Sequence, residues 1–203
     1  LHEGVFSLLY GSGRTIGQSL VRNPVVKAVG FTGSRNGGRA LMDAAAARPE
    51  PIPVWAEMSA INPVFVLPGA LRERGDAIAE GFVGSLTLGV GQFCTNPGLL
   101  IVGGEGRTRF AERIAALAGE TAPAAMLHKG IAEAYHHALE KMTAKEGVET
   151  LAQVAVEEGS SQGGAVVLGA DATEFLSDQS MAEEMFGPAT LMVSAGEEAS
   201  MLS

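Results

Sequence analysis

The feature of this sequence that most limits its fold is the alternation of short apolar runs with longer stretches of helical spacing. Strands separated by helices in this way are typical of α/β proteins with a mostly parallel sheet. The predicted strands are residues 5–10, 25–31, 52–57, 63–67, 99–102, 165–168 and 190–193. We therefore expect an α/β fold in which helices cover a mostly parallel sheet.

The longer stretches between these runs place apolar residues at helical intervals. The predicted helices are residues 34–47, 71–89, 108–118 and 131–145, with a short helix that ends before Asn23-Pro24. Proline disfavours the helical conformation in the residue that precedes it, so that helix is expected to end there. The alternation of strand and short helix gives way to a glycine-rich loop around residue 94, and we place a domain boundary near residue 60.

Charge and cysteine content exclude several classes of function. The chain has 14 basic and 23 acidic residues, a net charge of −9. Non-specific binding to nucleic acid or to an anionic membrane needs a basic surface, so neither partner is expected. The single cysteine excludes an intrachain disulfide and a multi-thiolate zinc site, and it fits a reducing compartment such as the cytoplasm. The four histidines show no metal-ligand spacing, so no metal is expected.

Two glycine-rich turns, each between a strand and a helix, are candidate phosphate-binding sites. They are Gly11–Gly17 and Phe31-Thr-Gly-Ser-Arg-Asn-Gly-Gly38. A helix N-terminus presents unpaired N–H groups and the positive end of the helix dipole, and glycine lets a ligand approach the backbone. Ser34 adds a hydroxyl donor. Taken alone, each turn is more simply explained as ordinary turn chemistry, since the first differs from the G-x-G-x-x-G spacing by one residue.

Glu57 stands where an apolar strand meets the turn Met58-Ser-Ala60. A carboxylate flanked by apolar residues is a candidate for a pKa raised by desolvation, and such a group can act as a general base. The alternative is a structural carboxylate that caps a helix or forms a salt bridge.

Cys94 is the candidate nucleophile. A lone cysteine is most often a buried small apolar residue. Gly91 and Gly98 lie on either side of this cysteine, and Pro97 stiffens the loop. Asn96 and Thr95 supply hydrogen-bond donors nearby. We therefore expect the thiol to lie at the end of a secondary-structure element rather than in a core. A thiolate there could attack a carbonyl carbon and form a hemithioacetal, from which hydride leaves to a nicotinamide.

Four motifs in this order and spacing resemble the aldehyde dehydrogenase superfamily. They are Phe31-Thr-Gly-Ser34, Glu57-Met-Ser-Ala-Ile-Asn-Pro63, Gly91-Gln-Phe-Cys94 and Glu184-Met-Phe-Gly-Pro188. The resemblance implies that Cys94 is the nucleophile and Glu57 the general base, although the family more often has Leu-Gly-Gly after this glutamate. It also implies NADP or NAD as cofactor, contacted by Gly33, Ser34, Gly38, Glu184 and Phe186.

The resemblance further implies a domain division, a substrate and an oligomeric state. Residues 1–60 would form the C-terminal part of a Rossmann-type dinucleotide-binding domain, and residues 61–203 a catalytic thiol domain that is incomplete at its C-terminal end. Ala56-Glu-Met-Ser and Gly91-Gln-Phe-Cys-Thr-Asn-Pro-Gly98 are similar to the α-ketoglutaric semialdehyde dehydrogenase branch, whose substrate is 2,5-dioxopentanoate. The full-length form would be a homo-oligomer.

Full members of this family carry an oxyanion-binding asparagine and an adenosine-binding lysine in a longer N-terminal part that has no counterpart here. We therefore expect these 203 residues alone to bind NAD(P) poorly and to have little or no aldehyde oxidation activity, since losing one oxyanion donor costs about 10²–10³ in rate. Two other interpretations stay open. One is a catalytically inactive binding module derived from a dehydrogenase, and the other is an esterase or acyl transferase that uses Cys94 without a nicotinamide.

Overall fold

A computed structural model of the chain describes residues 2–196. Its strands are β1 (Val29–Thr32), β2 (Val54–Glu57), β3 (Pro63–Val66), β4 (Leu99–Gly103), β5 (Ala124–Ala125), β6 (Glu149–Gln153), β7 (Gln162–Gly163), β8 (Val166–Asp171) and β9 (Ala189–Ala195). Its α-helices are α1 (Gly13–Arg22), α2 (Arg35–Ala46), α3 (Pro68–Thr87), α4 (Arg107–Gly119), α5 (Lys129–Thr143) and α6 (Ala172–Ser177). Two 3₁₀ helices, Leu88–Gly91 and Gln179–Ala182, lie between these elements.

The chain divides into two compact units, Leu1–Ser59 and Ala60–Ser203. The first unit contains α1, α2 and the parallel pair β1–β2, in which Thr32 stands opposite Glu57 at the last register position. The assignment of the two units to a cofactor domain and a thiol domain stays a prediction.

The second unit is built on a five-stranded sheet in the order β3-β4-β9-β8-β6. The first four strands are parallel, and β6 pairs antiparallel with β8 at the edge. A further short antiparallel pair joins β5 to β7. This arrangement matches the predicted α/β fold with a mostly parallel sheet.

Side chains of the central strands alternate between two apolar cores because successive residues of a strand point to opposite faces. Leu100 and Val102 of β4 lie in one core with α3 and α4, whereas Leu99 lies in the other with α5. Leu191 and Met192 of β9 divide in the same way. Helices therefore cover both faces, which explains why these strands read as continuous apolar runs.

Most of the predicted elements are confirmed, but the strand predicted at residues 5–10 is wrong. No helix or strand is assigned to that segment, and its large apolar side chains are exposed: Phe6 is 81% and Tyr10 88% exposed. An apolar run becomes a strand only where a neighbouring strand accepts its hydrogen bonds, and within residues 2–196 none pairs with this segment. Among the described residues, no helix has both the length and the apolar content needed to cross a bilayer.

Thr190 of β9 is fully buried, and its hydroxyl has no hydrogen-bond partner in the described part of the chain. We expect Thr190→Val to stabilise the protein by about 1 kcal/mol, because the isosteric methyl removes an unpaired buried hydroxyl. Urea unfolding of the two proteins measures this difference. A destabilised variant would contradict the prediction and indicate that the hydroxyl has a partner in solution.

Candidate active site

The predicted cofactor turn lies at the carboxyl end of β1 in the first unit. Ser34 is the N-cap of α2, with extended backbone angles, and its Oγ accepts a hydrogen bond from the Gly37 N–H at 3.2 Å. The N–H of Arg35 donates to Ser59 Oγ at 3.4 Å. Gly33 and Ser34 are exposed. The predicted helix N-terminus is thus formed and open to solvent, and the serine hydroxyl can still donate a hydrogen bond.

Glu57 ends β2 at the same edge of the β1–β2 pair. Its carbonyl oxygen accepts a hydrogen bond from the Gly33 N–H at 3.0 Å, which joins the candidate base directly to the candidate cofactor turn. The side chain of Glu57 is exposed. Its role as a general base stays a prediction.

Gly38 has a packing role in this unit. It is buried, and its N–H donates to the Ser34 carbonyl within the first turn of α2. A Cβ at this position would overlap the side chain of Met58, the residue after Glu57, so glycine lets α2 approach the end of β2. Its predicted contact with a cofactor stays a prediction.

Cys94 lies in the loop between the 3₁₀ helix Leu88–Gly91 and β4, in the second unit. It is free and exposed. The side-chain amide of Asn62, which precedes β3, donates to the carbonyl of Cys94 at 2.7 Å and to that of Asn96 at 3.1 Å. The loop is therefore held by its backbone while the thiol faces solvent.

The residues just before Cys94 have unusual backbone conformations. Val90 and Gly91 have φ angles of 58° and 65°, in the left-handed region. Such conformations are rare for a β-branched residue and tend to concentrate at functional sites. A Cβ at Gly91 would overlap the backbone of Gly187 and Pro188, so glycine lets the Cys94 loop touch the Glu184–Pro188 turn.

The Glu184–Pro188 turn packs against the side chain of Tyr135 from α5. A Cβ at Gly187 would overlap the Tyr135 ring, whose hydroxyl donates to the Gly164 carbonyl at 2.8 Å. Burial raises the pKa of Tyr135 and keeps it a neutral donor. Glu184 and Phe186 are half-buried. The second unit therefore brings Cys94 and the turn that carries these two residues to the amino-terminal edge of the β4–β9 pair.

A cluster of three polar side chains anchors the segment that leads to this turn. Lys145 Nζ donates to Asp178 Oδ2 at 2.7 Å and also to the Ser180 hydroxyl, and Ser180 donates to Asp178 Oδ1 at 2.6 Å. The hydrogen bond from Lys145, followed by those from the Ser180 hydroxyl and N–H, lowers the pKa of Asp178 from 3.8 to about 2.

This lowered pKa predicts a specific acid sensitivity. An acid whose pKa is lower in the folded state stabilises the protein above its unfolded pKa and loses this effect as pH falls through the folded value. We expect the urea concentration at the unfolding midpoint of the parent to decrease as the pH is lowered from about 4 to about 2. In Asp178→Asn, the contribution of this carboxylate to the decrease should be absent. Asp76→Asn, which removes a largely exposed ion pair with Arg109, is the control. Parallel pH profiles for parent and Asp178→Asn would contradict the prediction.

Several residues that shape the site could not be identified as such from the sequence. Asn62 contacts a loop 32 positions away, and Asn96 reaches Gly187 over 91 positions. Tyr135 supports a turn on a distant segment. The available signals were that Asn62 falls within the motif that begins at Glu57 and that Asn96 falls within the motif around Cys94, but neither indicates the distant partner.

Comparison with known proteins places the chain in a family. The aldehyde dehydrogenase family model matches residues 1–203. Alpha-ketoglutaric semialdehyde dehydrogenase 2 of Azospirillum brasilense is 53% identical over 192 residues, which cover 94% of this chain and 36% of that protein. The alpha-ketoglutaric semialdehyde dehydrogenase of Acinetobacter baylyi is 37% identical over 205 residues, which cover 99% of this chain and 38% of that protein.

Solved structures agree on the fold. A NAD-dependent benzaldehyde dehydrogenase from Corynebacterium glutamicum superposes with a TM-score of 0.75 at 23% identity, covering 94% of this chain and 41% of that one. A proline utilization A variant from Bradyrhizobium japonicum gives 0.78 at 24% identity, covering 95% and 20%. The likeness to these structures shows an α/β fold of the aldehyde dehydrogenase type. The chain belongs to the aldehyde dehydrogenase family and spans somewhat over a third of the length of the curated relatives it matches.

Proposed function

We propose that this chain takes part in the NAD(P)-dependent oxidation of an aldehyde to a carboxylate, with Cys94 as the nucleophile. The observation that carries the proposal is the placement of an exposed thiol on a loop held against the Glu184–Pro188 turn. An exposed cysteine on a backbone-anchored loop can reach a substrate, whereas a cysteine in a core cannot.

The chemistry proposed for Cys94 is covalent. Its thiolate attacks the aldehyde carbon, and the carbonyl oxygen takes a proton to give a thiohemiacetal. Departure of hydride from that carbon, with loss of the hydroxyl proton to water, leaves a thioester on Cys94. Glu57 is proposed to remove a proton from water, which attacks the thioester, releases the carboxylate and restores the thiol.

NADP or NAD is proposed as the hydride acceptor, and this is the chemistry that the cofactor supplies. The formed N-terminus of α2, with Gly33 and the Ser34 hydroxyl exposed, fits a phosphate group. Glu184 and Phe186 are the proposed contacts to the nicotinamide ribose and ring, since both are half-buried on the turn next to the Cys94 loop.

The proposed substrate is 2,5-dioxopentanoate, the α-ketoglutaric semialdehyde. Support comes from two relatives named for this activity, at 53% and 37% identity. The local motifs around Glu57 and Cys94 resemble the same branch. A benzaldehyde and a short aliphatic aldehyde are the competing substrates to include in any assay.

A single-turnover experiment tests the proposal even where turnover is slow. The chain is incubated with 2,5-dioxopentanoate and NADP or NAD, and NAD(P)H is measured with the intact mass of the protein. We expect one NAD(P)H per reacted Cys94 and, in Glu57→Gln, a thioester that accumulates on Cys94 because hydrolysis is blocked. Met58→Leu, adjacent to the base, is the matched control and should show no accumulation.

Two outcomes would contradict the proposal. A folded chain that gives no NAD(P)H and no adduct after prolonged incubation would favour the alternative, a dehydrogenase-derived module without catalysis. Adduct formation from an ester without NAD(P)H would instead favour acyl transfer.

A further inference from the structure

Asn96 contacts three separate segments of the second unit with one side-chain amide. Its Nδ2 donates to the carbonyls of Leu86 at 3.1 Å, Gly91 at 3.0 Å and Gly187 at 3.3 Å. Leu86 ends the buried face of α3, Gly91 precedes the nucleophile loop, and Gly187 belongs to the Glu184–Pro188 turn. An amide has two N–H groups, so one of them is shared between two carbonyls.

Among the described residues, the oxygen of the same side-chain amide contributes no hydrogen bond that could fix the orientation of Asn96. Asn96 Oδ1 is buried and has no hydrogen-bond partner in the described part of the chain. Burying an unpaired acceptor costs free energy. The orientation is therefore determined by the donors alone, and an apolar residue of similar size would pack here without that cost but would join none of the three segments.

Asn62 makes a contrasting contact with the same loop. Its amide donates to the carbonyls of Cys94 and Asn96, so it holds the loop to the segment before β3. It makes no contact with the Glu184–Pro188 turn among the hydrogen bonds of the described residues. Within residues 2–196, both asparagines thus hold the loop, and Asn96 also donates a hydrogen bond to the turn.

We infer that Asn96 is a positioning residue that couples the Cys94 loop to the Glu184–Pro188 turn. The coupling fixes the thiol relative to the proposed cofactor contacts Glu184 and Phe186, and in that respect the inference rests on the proposed function. If the coupling holds, the loop and the turn open to solvent together rather than independently.

Two measurements on the 203-residue chain test this coupling. Cys94, the only thiol, is labelled with a trifluoromethyl reagent and observed by ¹⁹F NMR. Hydrogen exchange is followed at two backbone N–H groups. That of residue 96 donates a hydrogen bond to the Phe93 carbonyl, and that of Ala189 donates to the Gly187 carbonyl. Neither measurement requires a cofactor, a substrate or turnover, so failure of aldehyde oxidation leaves this test unaffected.

Three variants distinguish positioning from a general loss of stability. We expect Asn96→Ala to shift or broaden the ¹⁹F resonance and to lower protection at both amides about tenfold or more. Asn62→Ala should change the resonance and lower protection at both amides equally, because Asn96 still joins the loop to the turn, whereas in Asn96→Ala the two amides should open with different free energies. Thr121→Ala removes a side-chain hydrogen bond to the Ala118 carbonyl elsewhere in the unit and should change neither readout.

The coupling is overturned if Asn96→Ala leaves the Ala189 amide as protected as in the parent. It is also overturned if Thr121→Ala lowers both amides to the same extent, because the effect would then be global. If Asn96→Ala does not fold, Asn96→Ser, which keeps one donor, should give intermediate effects. The parent chain supplies a test without any variant: the two amides must open with the same free energy and urea dependence, and different values overturn the inference.

Discussion

Replacing Cys94 by serine is expected to reduce the single-turnover rate of hydride release from 2,5-dioxopentanoate by about 10⁴-fold or more. An alcohol is a far weaker nucleophile than a thiolate at neutral pH. No histidine is expected to activate a serine here, because the polar contacts of the described histidines are with residues other than Cys94. The measurement is NAD(P)H formed per protein over time, with parent and variant at the same concentration.

The fold should survive this substitution. Cys94 is exposed, so Cys94→Ser should change the free energy of unfolding by no more than about 0.5 kcal/mol. Thr95→Ala, at the exposed neighbouring position, is the matched control and should keep most of the activity. Full activity in the serine variant would remove Cys94 from the reaction, and loss of activity in Thr95→Ala of the same size would show that the loop, not the thiol, had been disturbed.

The parts of the fold that were predicted from sequence are those with a local signal. Strands β4 and β9 are buried on both faces, so their residues form apolar runs that stand out in the sequence. Strand β6, Glu149–Gln153, was missed because it is an edge strand with mixed residues, and its conformation depends on antiparallel pairing with β8. The strand predicted at residues 5–10 is wrong for the same physical reason. An apolar pattern indicates burial, but it does not show which strand would pair with the segment.

The candidate site divides in a similar way. Cys94 and Glu57 were identified because each belongs to a short motif whose chemistry can be reasoned from neighbouring residues. Two asparagines hold the Cys94 loop through hydrogen bonds between distant positions of the chain. Asn62 donates to the Cys94 carbonyl over 32 positions, and Asn96 donates to the Gly187 carbonyl over 91 positions. Their role follows from which segments the sheet brings together, and no local pattern carries that information.

Gly91→Ala is expected to destabilise the second unit by about 2–5 kcal/mol. Two separate effects add here. Gly91 has a φ of 65°, where an alanine costs about 1–2 kcal/mol, and its Cβ would overlap the backbone of Gly187 and Pro188. Backbone atoms in contact with β9 cannot move aside as a flexible side chain can, so the Cys94 loop and the turn must separate. Urea unfolding, with hydrogen exchange at Ala189, measures both consequences.

Gly89→Ala separates the two effects. Gly89 has a similar φ of 56°, but the three atoms nearest to its Cβ belong to the side-chain ring of Phe93, which is 48% exposed. This variant should therefore lose only the conformational part, about 1–2 kcal/mol, and keep the protection of Ala189. Gly81→Ala, on the open face of α3, should stabilise by about 0.5–1 kcal/mol. Equal losses in Gly91→Ala and Gly89→Ala would mean that the contact between the nucleophile loop and the turn contributes nothing beyond backbone conformation.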